Sequence, residues 1–288
     1  MGNRLAERAQ ECSCCSKEDY DKARVLLNDA ARSGSYWYPI KGIFYFAAHP
    51  ALWKPLRSKL APYLTLYSGV LGSMFFFTYL PQLAVMAVVN GPLAVFTTAL
   101  LILNESSTIT MTISKNYILR DAILDTFDGT LVARNSTEIV SQGRELKPRG
   151  DSIDRLGKAL KAPFKKFSLN KLVRYVIYLP LNFIPVIGTV VFVVLRGRSR
   201  GDAVHDRYFQ LKGWSKSTRS QWLKDHQGPY TAFGTVATLL EMIPLASVFF
   251  SFSNTVGAAL WAADIEAKEV EMFKSTAPEL RETAKKAE

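Results

Sequence analysis

Gly197-Arg198-Ser199-Arg200-Gly201 matches the G-x-S-x-G pattern that carries the nucleophile of serine hydrolases. In that chemistry a strained strand-to-helix elbow presents the serine, and an acid and a histidine further along the chain activate it. His205 and His226 follow, with Asp206 and Asp225 beside them. The alternating strands and helices of an α/β sheet are missing, and the motif sits at the end of an apolar run among arginines. Hydrolysis at Ser199 is therefore not expected.

Other catalytic constellations are weaker still. His49, His205 and His226 form no metal-ligand spacing, and none begins the H-x4-D arrangement of a glycerolipid acyltransferase. No glycine loop suited to phosphate appears. Asp264 and Glu266 fall where a helix would leave an apolar block, and solvated charge accounts for them. Cys12, Cys14 and Cys15 crowd one polar stretch, too close and too few for a disulfide framework. They suit a reducing environment and are candidates for S-acylation. The chain is thus read as non-enzymatic, with no catalytic, cofactor or metal residue.

Two polar residues stand inside apolar sequence. Glu241 is costly if ionised against lipid, so it must face protein or water, or be protonated, and intramembrane carboxylates are functional candidates by default. Asn182 lies between Pro180 and Pro185, where it would cap a broken backbone.

The elements that hold these residues require lipid. From Leu60 to Asn104 the chain carries no charged residue. At about 1.5 Å per residue this block is long enough to cross a hydrocarbon layer of about 30 Å twice. Pro81-Gln82 is expected to divide it into two arms, and Asn90-Gly91-Pro92 to weaken the second arm. A second block, Tyr175 to Leu195, contains Pro180, Asn182 and Pro185 and reads as a broken or re-entrant helix. A third, Gln227 to Ala263, carries Glu241 as its one charge and reads as two arms joined near Pro244.

Charge placement favours hairpins over complete crossings. The 288 residues carry a formal net charge of +11, which implies an acidic partner: nucleic acid, anionic lipid head groups or a small anion. Between Arg120 and Arg174 twelve Lys/Arg face seven Asp/Glu, and between Arg196 and Asp225 eight face three. Cytosolic loops collect Lys and Arg, and both loops stay on one side if the second block turns back. Arg196, Arg198, Arg200 and Arg207, with Trp214 and Trp222, are expected to lie at anionic head groups of a phospholipid bilayer or lipid-droplet monolayer rather than on nucleic acid. A homo-oligomer is compatible with this arrangement. The segment Asp128 to Asp154 has the polar composition of a flexible loop.

The expected organisation is an N-terminal cytosolic helical segment (1–35), a membrane domain (36–266) and a charged tail (267–288). Within the membrane domain, apolar blocks 60–104, 175–195 and 227–263 alternate with basic cytosolic loops 119–174 and 196–226. The fold class is all-α, an integral membrane protein with long transmembrane helices and re-entrant or half-inserted helical hairpins.

The segments KGIFYFAAHPALW, NFIPVIG, HDRYFQLKGWS, YTAFGTVATLLEMIP and FSNTVGAALWAADIE, in this order, resemble the etoposide-induced protein 2.4/CysZ-like family of membrane proteins. The likeness runs from about Tyr38 to Glu266 and is greatest to the fungal branch of outer spore wall and lipid-droplet proteins. It implies half-inserted helix pairs beside full spans and residence in the endoplasmic reticulum and on lipid droplets. The role it implies is structural or organising, in lipid storage or spore wall assembly. Bacterial members are associated with sulfate uptake, so a small-anion transporter is the alternative. The resemblance supplies no catalytic residues and no anion site at a matching position.

Overall fold

The computed structural model describes residues 24, 28–160 and 187–287. Among these, helix dominates, and the only strands form one short antiparallel hairpin, β1 (Arg144–Leu146) and β2 (Leu156–Ala159). The helices are α1 (Tyr38–Ala48), α2 (Trp53–Asn90), α3 (Ala94–Tyr117), α4 (Arg120–Ala133) and α5 (Thr137–Ser141). After the β-hairpin come α6 (Ile187–Val204), α7 (Asp206–Leu211), α8 (Lys216–Asp225), α9 (Gln227–Glu241) and α10 (Ser247–Ala287). The protein is all-α in class.

The first apolar block forms a hairpin of α2 and α3, but its turn is not where proline placed it. α2 continues through Pro62 and Pro81 for 38 residues and ends at Asn90. In an apolar medium, breaking a helix exposes several backbone groups, whereas an internal proline forfeits only one bond. Chain reversal occurs instead at Asn90-Gly91-Pro92. Gly91 has φ 54, a value open to glycine, and Asn90 Nδ2 donates to Thr97 Oγ1 at 3.2 Å across the tip. One further polar contact ties the arms, from Gln82 Nε2 to Glu105 Oε2 at 2.8 Å.

Water cannot solvate the outside of this hairpin. Phe76, Phe77, Val88 and Phe96 are 81%, 72%, 88% and 71% exposed. The segment Pro50–Tyr117 reaches a mean hydropathy of 2.0, and only 17% of its most apolar stretch is buried by protein. A continuous apolar surface of this length needs hydrocarbon around it. A second helix long and apolar enough to span, Ser247–Glu269, is mostly buried against the rest of the molecule.

Two other helix pairs pack closely through glycine. α6 and α9 run against each other where Gly197 and Gly201, four residues apart on α6, meet Gly234 on α9. A methyl group at Gly234 would fall 2.6 Å from the Gly201 nitrogen and 2.9 Å from the Gly197 carbonyl carbon. α1 meets α10 in the same manner, since a methyl at Gly42 would lie 2.6 Å from the Gly257 nitrogen. Such small-residue contacts let backbones approach closely, the usual basis of helix association in lipid.

Beneath the hairpin lies a polar body with two apolar centres, both of which include residues of α10. One gathers Phe127, Leu131, Tyr208, Phe209, Tyr230 and Phe233, and the other Phe46, Leu52, Leu56, Tyr63, Leu119 and Phe252. Fully burying side chains of this size contributes about 1.5–3 kcal/mol each. Both feet of the hairpin stand on this body: Lys54 Nζ lies 2.6 Å from Asp154 Oδ2, and Leu119 is fully buried.

The stretch from Asp128 to Asp154 is not the flexible loop its composition suggests. It completes α4, forms α5 and begins the β-hairpin, and Asp128 itself is fully buried. Composition alone does not show that Asp128, Arg134, Arg144, Asp151 and Asp154 are paired with charges elsewhere in the fold. The third apolar block does fold as two arms, α9 and α10, joined at 242–246, where Leu245 takes φ 65 beside Pro244. α10 continues across the expected boundary at 266 into the tail.

Candidate functional site

Glu241 is the last residue of α9, and its side chain is 11% exposed. Three helices supply its partners. Lys115, in the last turn of α3, places Nζ 2.8 Å from Oε2; Arg200 of α6 pairs with Oε1; Asn254 of α10 donates from Nδ2 to Oε1 at 3.3 Å. The carboxylate is thus neither lipid-facing nor alone, as the expense of a bare intramembrane charge demands. Two basic side chains thus share this one carboxylate.

This cluster borders an open cavity of about 420 Å³ lined, among the described residues, by α3, α4, α6, α7, α9 and α10. Lys115, Arg196, Ser199 and Arg200 line its polar side. Ile123, Leu124, Phe127 and Phe233 line its apolar side. Asn254 also faces it, and its Oδ1 is buried without a hydrogen-bond partner. The arrangement suits a bound anion with an apolar portion more than any bond-breaking chemistry.

The predicted surface residues divide. Arg198 is exposed, and the Gln227 side-chain oxygen, oriented towards it, accepts from its Nε at 2.7 Å. Arg200 turns inward to Glu241, and Arg196 lies on the cavity wall. Arg207 is a correction: it is 5% exposed and grips Asp128 through Nε–Oδ1 at 2.9 Å and Nη2–Oδ2 at 2.6 Å. Arg144 joins the same carboxylate at 3.3 Å and Asp125 at 2.7 Å. A bidentate pair of this kind binds α4, α7 and the β-hairpin together and leaves no guanidinium for a head group.

Trp214 and Trp222 are likewise half-buried parts of the fold. Trp214 stacks on Phe209 with centroids 5.1 Å apart, and Trp222 stacks on His226 at 4.0 Å. Asp264 and Glu266 are paired rather than simply solvated: Tyr38 and Arg134 hold the first, Tyr208 and Lys212 the second. Pro180, Asn182, Pro185, Cys12, Cys14 and Cys15 lie outside the described residues.

The hydrolase motif has a packing explanation. Ser199 is an exposed residue within α6, not an elbow, and its two flanking glycines make the α6–α9 contact. His205, the nearest histidine downstream, is fully buried. Tyr230 Oη donates to its Nδ1 at 2.7 Å, and its Nε2–H donates to the Ala258 carbonyl at 3.0 Å. Trp222 Nε1 in turn donates to Tyr230 Oη at 3.1 Å. Burial pushes the imidazole pKa from 6.5 down to about 3, so His205 is a neutral structural group. Among the described residues no group of His, Cys, Asp and Glu is placed to hold a metal ion.

Sequence reasoning missed Lys115, Asn254 and Asp128. Lys115 carried one legible signal, as the first cation after the uncharged block. Asn254 had none.

Comparison with known proteins finds a family match over most of the chain. The family model described as "Sulfate transporter CysZ/Etoposide-induced protein 2.4" matches residues 33–251. Outer spore wall protein RRT8 of Saccharomyces cerevisiae is 25% identical over 261 residues, covering 83% of this chain and 75% of the relative. Outer spore wall protein LDS1 of the same yeast is 24% identical over 246 residues, covering 83% and 74% respectively.

Proposed function

Because the chain belongs to the sulfate transporter CysZ/etoposide-induced protein 2.4 family, we propose that it is a non-enzymatic membrane protein of the endoplasmic reticulum and lipid droplets that organises lipid storage or spore wall assembly. The observation that carries this reading is the α2–α3 hairpin, apolar on its outside, uncharged at its tip and footed twice on one polar body. A droplet has a single phospholipid layer over neutral lipid. A resident cannot leave a charged domain on the far side, and a hairpin with its polar parts gathered on one face meets that demand. The spore-wall part of the proposal draws on the names of the two yeast relatives.

The first test is imaging of C-terminally tagged protein in oleate-fed cells beside a neutral-lipid dye. Rings around droplets are expected; signal confined to a bilayer would remove the droplet role. Glycan on Asn135, which this topology keeps cytosolic, would overturn the one-sided arrangement.

A second reading, passage of a small anion, is favoured by the positive charge on the cavity wall. Sulfate flux into vesicles containing the purified protein, abolished by Arg196→Gln, is its test.

A further inference from the structure

The cavity beside Glu241 has two unlike walls. Lys115 and Arg200 share one carboxylate, and Arg196 adds its guanidinium to the same side. Arg207, also on this cavity, pairs with Asp128, and Asp206 pairs with Arg219. Two basic side chains on one carboxylate, Lys115 and Arg200 on Glu241, mark the α3–α6 side as the wall that would face an anion. Opposite it, Ile123, Leu124, Phe127 and Phe233 offer hydrocarbon. A volume of about 420 Å³ is typical of sites for small organic ligands and generous for a bare tetrahedral oxyanion. A free inorganic anion has no use for an apolar wall and is poorly served by one.

We propose that the cavity is a receptor site for an anionic membrane lipid, whose phosphomonoester is held by Lys115, Arg196 and Arg200 while its glyceryl and first acyl carbons lie against Leu124 and Phe127. Charge-assisted hydrogen bonds from guanidinium and ammonium donors fix the phosphate. The unpartnered Asn254 Oδ1 accepts from a hydroxyl of the ligand, either glycerol or protonated phosphate. Lys115, at the foot of the lipid-facing hairpin, places the phosphate side near the level where head groups lie. The inference rests on membrane residence, but not on droplet localisation or spore wall assembly.

The test uses full-length protein, purified and delipidated in detergent. Thermal unfolding and native mass spectrometry are followed with dioctanoyl phosphatidate, dioctanoyl phosphatidylcholine, inorganic phosphate and sulfate. Phosphatidate is expected to bind once, saturably, and to raise Tm by several degrees. Choline lipid and both inorganic anions at equal concentration should shift Tm by less than a quarter as much. Arg196→Gln is expected to weaken phosphatidate binding about tenfold or more. Ser199→Trp, an exposed position on the cavity rim, should keep the unliganded Tm and also lose binding. Equal binding of the choline lipid, unchanged binding by Ser199→Trp, or inorganic phosphate binding as tightly as phosphatidate would each overturn the proposal; the last would identify a free-anion site. Because the titration is done in detergent, it stands or falls separately from the imaging of droplets.

Discussion

Replacing Gly234 by alanine adds a single methyl group, yet the geometry makes it one of the most damaging small changes available. The new carbon would lie 2.6 Å from the Gly201 nitrogen and closer still to the Gly197 carbonyl oxygen. Ordinary contacts begin near about 3.5 Å, so α6 and α9 must separate by about 1 Å. A gap of that size forfeits a quarter to a half of each atom-pair attraction. If the interface holds about 50 such pairs at about 0.15 kcal/mol each, the loss is about 2–4 kcal/mol. In a chain of this size that corresponds to a Tm lowered by about 3–7 °C. The internal control is Gly69→Ala and Gly72→Ala on α2, where an added methyl meets nothing within 4 Å. There, removing glycine from a helix interior should stabilise by about 0.5–1 kcal/mol. Thermal unfolding of the three purified variants, monitored by circular dichroism, gives the comparison. If Gly234→Ala unfolds at the same temperature as the α2 variants, glycine does not set the α6–α9 distance and the reading of Gly197-x-x-x-Gly201 as a packing motif is wrong.

Three other outcomes follow from the same structure. His205 is held neutral by burial with a pKa near 3, whereas the unfolded chain binds a proton near 6.5; stability is therefore full above pH 6.5 and declines as pH falls towards 3. The decline is about 1.4 kcal/mol per pH unit, or about 2 kcal/mol by pH 5, and His205→Gln should flatten that part of a pH-dependent denaturation series. Asp128→Asn leaves Arg207 and Arg144 buried without their shared carboxylate and should cost about 3–5 kcal/mol in chemical denaturation; a change under 1 kcal/mol would show that the network is dispensable. Phe77→Arg together with Val88→Arg places two charges on the outer face of the hairpin. Carbonate extraction should then release a larger share of the protein from membranes, and full retention would indicate that this face does not meet lipid.

What the sequence disclosed depended on whether a residue's role was local. The uncharged run from Leu60 to Asn104 demanded lipid whatever its neighbours, and the hairpin is there. The cost of proline as a helix breaker belongs to water, so in lipid α2 runs through Pro81 and the turn falls at Asn90-Gly91-Pro92, with a positive φ at Gly91. Arg207, Trp214 and Trp222 looked like a head-group surface because their spacing interleaves charge and ring. The carboxylate that draws Arg207 inward is 79 residues away, at Asp128, and no pattern near Arg207 reveals it. Likewise Glu241 was legible as an anomaly, but Lys115 at a separation of 126 residues was not legible as its answer.

These misreadings share a physical cause that bears on function. A membrane surface and a buried ion network both call for arginine beside aromatic residues, and they differ only in whether a carboxylate waits opposite. Where one does, as at Asp128, the guanidinium is consumed by the fold. At the Glu241 cluster one carboxylate is divided between Lys115 and Arg200, so the fold leaves attraction for an anion unspent there. Reversing that balance discriminates the two roles: Ser199→Glu adds a second carboxylate at an exposed position of the cavity wall, beside Arg200 and three residues from Arg196 on α6. Neutralising the cluster in this manner should leave the fold as stable as before or more so, while weakening anion binding about tenfold. If instead the protein loses stability and keeps its affinity for phosphatidate, the paired cations serve packing alone.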